Sequence, residues 1–456
     1  MKFLHTTNLF KTTFLVALCT VFSFNAEAQI ENLNDIYSFY GEGTIYNNYF
    51  APNRSLGHFT TAYRSPLNAN PSNPASYTSL NLTSFEVAID FDGYQINGAN
   101  SSGNTSDFGI SYLNIAFPLN ENWGAGFGLN PYSKVNYAVN SYKNTNESIG
   151  LERSLHIGRG GLSQMRFGTA YRYKNLSIGA NFGYLFGTIE KELLEIYEDL
   201  ESIPISTVGA FSIGDPDPRP AVQRLSSDLL KGFSWDIGTQ FQKQIGKSKN
   251  MLTIGAKASL VTNLTSDEDL TWERGVYQET ESATQFSPVE LEPLVSIDDV
   301  STDITHPGNY SLGFAIADSN EVKWMVGIDL RYADWSNYKK YDVSIPEYQD
   351  SYGISIGASV TPDRFKLKSL WSRIEYRFGL YYDSGNLKIA DNSIPQYGLT
   401  FGMGVPLSFK SFNKLNLSFD AGQKGSTKNG LVSQNYLKMT MGFTFNSKWF
   451  QKRRYD

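Results

Sequence analysis

The sequence predicts an all-β protein: a transmembrane antiparallel β-barrel of fourteen strands with an N-terminal internal plug, or hatch. Three observations predict it. Stretches of about ten residues alternate apolar and polar side chains, as a wall between lipid and an aqueous lumen requires. Residues 322–338 are the clearest, with Trp324, Val326, Ile328, Leu330 and Tyr332 on one face and Lys323, Met325, Gly327, Asp329, Arg331 and Ala333 on the other. The composition has 28 Tyr, 30 Phe and 39 Gly, yet the mean hydropathy is polar, because every second residue of such a wall faces water. The strand count is even, with short turns at one end and long connections at the other, so no open edge is left in lipid.

The chain begins with an expected export signal over residues 1–28: Lys2 and Lys11, an apolar run at 13–24, and Ala26-Glu27-Ala28 as the cleavage site. Cys19 is the only cysteine and lies within it, so the remainder has no thiol for disulfides or metal sites; Leu18 before it argues against lipidation. Residues 29–82 do not alternate, are rich in Asn, Ser, Pro and Tyr, and are expected to form the hatch. Residues 83–446 form the barrel and 447–456 a short basic tail.

Strands are expected at 84–94, 107–118, 123–132, 164–173, 176–187, 232–245, 251–263, 310–317, 322–338, 351–361, 371–383, 396–408, 415–423 and 436–446. The second changes phase near Tyr112 and Leu113, which predicts a bulge. Gly124, Gly126 and Gly128 share one face of the third, leaving room for hatch backbone against the wall. Residues 135–162 read as a long loop ending in a glycine turn at 158–162; that cluster lacks the Lys-Ser/Thr of a phosphate loop. Residues 188–231 read as a longer loop, in which Ile189, Leu193, Ile196, Tyr197 and Leu200 recur at helical spacing and predict a surface helix. The loop at 264–308 carries eleven carboxylates and one cation, Arg274. Solvated charge is the default reading; divalent-ion bridging to lipopolysaccharide is the functional one.

The chemistry is sparse. His58, His156 and His306 stand in separate irregular segments, so no catalytic residues, metal site or cofactor is expected, and the protein is read as not an enzyme. A net charge of −6 argues against nucleic acid. Charges do gather on the inward faces: Glu86, Asp90, Arg172, Asp236, Lys257, Asp329, Arg331, Arg373, Glu375, Arg377 and Lys438. A ladder pinning the hatch to the wall is the structural reading. The functional one makes Arg331 or Arg377 the anchor for the carboxylate of an amphipathic ligand, since a guanidinium fork binds a carboxylate with two hydrogen bonds.

Three segments resemble FadL/TodX-type outer-membrane transporters of hydrophobic compounds. One is Pro307 followed by 310–317, Trp324, Asp329 and Trp335-Ser336. The second is Leu56-Gly57 with Asn73-Pro74-Ala75, which resembles that family's hatch pattern, although Thr60 and Thr61 stand where the family has a small-Gly pair. The third is the strand 373–383. The resemblance implies a fourteen-stranded barrel with a hatch in the outer membrane of a diderm bacterium, surrounded by membrane lipids and lipopolysaccharide. It implies passive uptake of hydrophobic small molecules such as long-chain fatty acids. The alternative is a non-transporting barrel of the same shape that docks or assembles another envelope protein, as PorV-like proteins of type IX secretion do; the Thr60-Thr61 departure and the acidic loops keep it open.

If Ile328 faces lipid near the midplane, Ile328→Arg should cost roughly 2–4 kcal/mol and reduce the yield of assembled barrel, while Gly327→Arg, on the lumen face, should be tolerated. Heat-modifiable gel mobility of the two variants checks the register.

Overall fold

The computed structural model describes residues 35–46, 49–98, 102–144, 151–197, 219–246, 249–279, 284–288, 293–318, 323–366, 369–408 and 412–449. The expected signal with Cys19, and residues 450–456 of the basic tail, lie outside them.

Fourteen wall strands run in chain order: β1 (Thr83–Asn97), β2 (Ser102–Pro118), β3 (Trp123–Pro131), β4 (Leu151–Tyr173), β5 (Leu176–Tyr197), β6 (Arg219–Gln244), β7 (Asn250–Ser259), β8 (Asn309–Asp318), β9 (Trp324–Ala333), β10 (Ser351–Val360), β11 (Glu375–Asp383), β12 (Gln396–Pro406), β13 (Lys414–Gly425) and β14 (Ser433–Ser447). Each pairs antiparallel with the next, and β1 pairs β14 from Thr83↔Ser447 to Asn97↔Ser433, so the ring of strands closes. On β9, Trp324, Val326 and Leu330 are exposed while Met325 and Asp329 are buried, the alternation read from the sequence. The phase change expected on β2 is a bulge at Ser111: Tyr112 faces Ala88 and Ile110 faces Ile89.

The structure corrects four readings, and in the first three strand pairing overrides local pattern. The helix expected from Ile189 onward is the far end of β5. Leu194 and Ile196 are buried on one face of that strand, with Ala221 and Tyr277. The glycine turn at 158–162 is also strand; Gly160 (φ +100°) and Gly161 (φ +145°) bend β4 where it changes partner, from the strand Ser133–Asn144 to β3. Residues 135–162 and 264–308 are largely strand too. Ser133–Asn144, β4, β5, β6, Thr262–Glu279 and Val295–His306 pair in that order beyond the barrel as one upright antiparallel sheet. Finally, β11 begins at Glu375, because Leu370–Arg373 is a helical turn capped by Ser369, so Arg373 is not on the wall.

The hatch meets a belt of inward glycines at mid-strand. A Cβ on Gly126 or Gly168 would strike the Tyr77 ring, and one on Gly179 the Pro74-Ala75 peptide. On Gly238 it would strike Asn73, on Gly255 Thr61, on Gly327 Phe59, on Gly357 Leu56 and on Gly379 Gly57. Many of these glycines face one another across the ladder: Gly126↔Gly168, Gly179↔Gly238, Gly255↔Gly313 and Gly327↔Gly357↔Gly379. Of the row read from the sequence, Gly124 and Gly126 touch Tyr77, whereas Gly128 abuts the Asn114 side chain. The belt also overturns the tolerance expected at Gly327. A Cβ there would stand 2.4 Å from the Phe59 ring, so Gly327→Arg displaces the hatch.

The belt predicts a contrast between two one-carbon changes. Gly379→Ala would bring Cβ to 1.9 Å from the Gly57 nitrogen, whereas at Gly93 the nearest atom is 3.7 Å away. Overpacking at Gly379 should cost about 1–3 kcal/mol, read as a lower temperature for the heat-modifiable gel shift, with Gly93→Ala unchanged.

Candidate functional site in the sealed lumen

Residues 50–82 close the lumen on the side of the short turns. Their backbone is held by wall side chains, since buried N–H groups need acceptors. The Asp329 carboxylate, fully buried, accepts the N–H groups of Thr60 (2.7 Å) and Thr61 (2.8 Å) through Oδ2. The two threonines that depart from the FadL-type pattern are thus the hatch's attachment to β9. Gly57, at φ +65°, donates its N–H to Thr400 Oγ1 (2.8 Å) and lies against Leu380 and Ile356. Asn73 donates to the Thr61 carbonyl (2.7 Å) and accepts from the Ala75 N–H, capping the turn Pro74–Ser79 that rests on Gly179 and Gly238. Glu86 takes the Ala69 N–H (2.7 Å), and Arg64 reaches Gln240 (2.8 Å) and Thr78 (2.9 Å).

Arg377 belongs to this lower seal. It is fully buried; Glu375 engages its fork at 2.9 and 3.0 Å, Asn416 accepts at 3.0 Å, and Lys414 meets the same carboxylate at 2.9 Å. Arg331 lies elsewhere, above the belt. It donates to Ser355 Oγ (2.6 Å) and shares the space over Gly353 with the Asp383 carboxylate. The two arginines are therefore not brought together. Arg172 is at the turn end of β4, where it donates to the Glu121 carbonyl.

Residues 35–46 close the other end. The Asp35 N–H donates to the Asn136 carbonyl (2.9 Å), Thr44 and Ile45 pair with Lys134 and Ser133, the Tyr37 hydroxyl donates to the Val432 carbonyl, and the Tyr338 hydroxyl donates to Glu42 (2.6 Å). Tyr37 belongs to a buried apolar cluster with Leu162 of β4, Leu185 of β5, and Trp335, Tyr338 and Tyr348 of the connection between β9 and β10.

Between the two closures is a charged chamber. Arg54 pairs with Asp90 (2.9 Å) and Lys424 with Asp35 (3.2 Å). His58 contacts Asp420 (3.2 Å) and stacks on Tyr49, while Lys438 lies between the rings of Tyr94 and Tyr436. Asp236, on the facing wall, accepts from Ser259 (2.6 Å) and Asn181 (3.2 Å), and Lys257 lines the chamber beside it.

The wall beside this chamber carries a seam. The β2–β3 ladder runs only from Leu113↔Leu129 to Pro118↔Gly124; above it β2 stays paired with β1, while the chain beyond β3 pairs with β4. Among the described residues no ladder joins the upper half of β2 to Ser133–Asn144. A cavity of ≈ 370 Å³ occupies the gap, lined by Tyr46, Tyr49, Phe50, Ile110, Tyr112 and Leu162 and by Arg54, Asp90 and Asp92. Lys134 and Asp107 form an ion pair across it. A Cβ on Gly109 would meet nothing within 4 Å, and the neighbouring Phe108 and Ile110 are 63% and 69% exposed. Among the described residues no group of three or more His, Cys, Asp or Glu is placed to hold a metal ion.

A family model described as BamG matches residues 9–456. The chain belongs to the BamG family. No curated protein matches the sequence. Solved structures give the fold. The Pseudomonas putida toluene transporter TodX is similar with a TM-score of 0.52 at 17% identity, covering 88% of this chain and 98% of its own. The Ralstonia pickettii toluene transporter TbuX gives 0.54 at 14%, covering 88% and 98%. A Pseudomonas aeruginosa FadL homologue gives 0.51 at 12%, covering 87% and 98%. This BamG-family chain thus has the FadL-type fourteen-stranded barrel. Sequence reasoning missed Asp92, Lys134, Asp107 and the seam. The signal available was Gly109 and the phase slip at Tyr112, which mark β2 as irregular where it leaves β3.

The Asp329 contacts predict a leak. Asp329→Ala leaves the Thr60 and Thr61 N–H groups buried without an acceptor, at about 1–3 kcal/mol each. It should raise ion conductance in planar bilayers, while Asp329→Asn, which keeps one acceptor oxygen, should raise it less.

Proposed function

We propose that this protein is a channel in the outer membrane of a diderm bacterium that takes up hydrophobic small molecules by passive diffusion, entering through the β2–β3 seam. The seam carries the reading. An apolar compound partitions into bilayer rather than water, and the cavity meets the wall between lipid-exposed Phe108 and Ile110 and the aromatic residues inside. The fold shared with toluene transporters supports the class; long-chain fatty acids are the proposed example. Arg331, which lines the chamber, is the proposed polar contact on the inner side. Lipids and lipopolysaccharide surround the wall.

A second reading, a non-transporting barrel that docks another envelope protein, is favoured by two observations. The lumen is closed at both ends by buried polar ties, and the upright sheet presents exposed Leu225, Leu229, Trp272 and Ile297.

Gly109→Trp separates the two. The indole has open space at the seam, so the barrel should assemble normally, and uptake of a fluorescent fatty acid or of toluene into reconstituted vesicles should fall to the protein-free rate. Wild-type uptake no faster than protein-free vesicles, with another envelope protein co-purifying in stoichiometric amount, would favour docking.

A further inference from the structure

The seam cavity has an imbalance of charge that points to the chemistry of what it binds. Three carboxylates line it. Asp90 is paired with Arg54 and Asp107 with Lys134, which uses both cations of the lining. The third, Asp92, has no such partner. It is only 7% exposed, its Oδ2 accepts the Tyr94 hydroxyl (3.1 Å), and its Oδ1 is buried without a hydrogen-bond partner among the described residues. The cation directly across the ladder, Lys438, is turned to the rings of Tyr94 and Tyr436 at 5.4 and 5.1 Å. Asp92 lines both the seam cavity and the inner chamber, as do Tyr46 and Tyr49, so it stands at their junction.

We infer that the seam site binds an amphipathic molecule with a cationic, hydrogen-bond-donating head, such as a primary alkylammonium, with the head at the Asp92 carboxylate, whose Oδ1 must turn toward the cavity to receive it, and the apolar tail toward Ile110, Phe50 and Leu162. A buried carboxylate oxygen without a donor is costly, and an ammonium supplies both the missing charge and the missing N–H. The tyrosines around it are suited to a cation, since aromatic faces attract positive charge. A carboxylate head would instead meet a site already short of one positive charge. The guanidinium of Arg377 is held below the hatch by Glu375 and Asn416, and that of Arg331 donates to Ser355 beside Asp383. The inference rests on the seam being the ligand site and, within hydrophobic small molecules, ranks amines above the fatty acids named as the example.

The test is calorimetric titration of the full-length barrel in detergent with three probes of matched tail: hexylamine, hexanol and hexanoate. Hexylamine should bind about tenfold or more tightly than hexanol, as expected for one charge-assisted hydrogen bond, and hexanoate most weakly. Asp92→Asn, which retains an acceptor for Tyr94, should abolish the amine preference, with heat-modifiable mobility checking assembly. If that variant does not assemble, the wild-type ranking alone decides. Equal binding of amine and alcohol, or preference for hexanoate, overturns the cationic head while leaving seam uptake standing. Failure of all three probes to bind overturns the seam as a ligand site, and the inference with it.

Discussion

The structure depends on the contact between hatch backbone and a wall stripped of side chains. A barrel of this size encloses more space than inward side chains fill, and the hatch fills it only where they are absent. The facing pairs Gly255↔Gly313 and Gly327↔Gly357↔Gly379 allow peptide groups of residues 55–62 to lie directly on the ladder. At that separation, side chains flanking the belt reach hatch amides, and Asp329, Thr400 and Gln240 do so. The polar ties follow from the glycines. Were the belt filled by methyl groups, the hatch would stand away from the wall and its peptide groups would lose these partners.

Much of this was legible in the sequence, because a lipid-facing wall has a strict period of two that nothing else in the chain imitates over ten residues. The register of β9, the bulge on β2 and the glycine face of β3 all follow from that period. Beyond the membrane the rule lapses. There both faces of a strand meet water or other protein, so Ile189, Leu193 and Ile196 carry a spacing that suits a helix as well as a strand, and the partners β4 and β6 decide. The glycine belt is spread over strands distant in sequence and becomes one feature only when register aligns them. Site residues were the least legible. Inward charge at Arg331 and Arg377 reads alike along the chain, yet one lies above the hatch and the other below it among Glu375, Asn416 and Lys414. Nor does sequence reveal that two of three carboxylates at the seam are already neutralised.

The charges of the lumen do more than pin the hatch. Below the belt, Arg377, Lys414 and Glu375 form a compact cluster around the fully buried guanidinium, and breaking such a cluster costs more than its formation contributes. Above it, the pairs Arg54–Asp90, His58–Asp420 and Lys424–Asp35 border cavities. Rearrangement is therefore easier in the upper half of the lumen than in the lower, and the seam opens on that upper half.

The hatch also bears on how the chain is assembled. Its residues precede the wall strands in the chain, yet Gly57 rests on Leu380 and Thr400, and Tyr37 reaches Val432. These partners belong to the last third of the sequence. The hatch cannot take its seat until β11 and β12 are in place, and once β14 has zipped onto β1 the ring of strands around it is closed. Seating and closure must therefore occur together, so a half-built wall remains open and hydrated inside until its final strands arrive. A sealed lumen is then a mark of completed synthesis, and a channel caught before that point would leak.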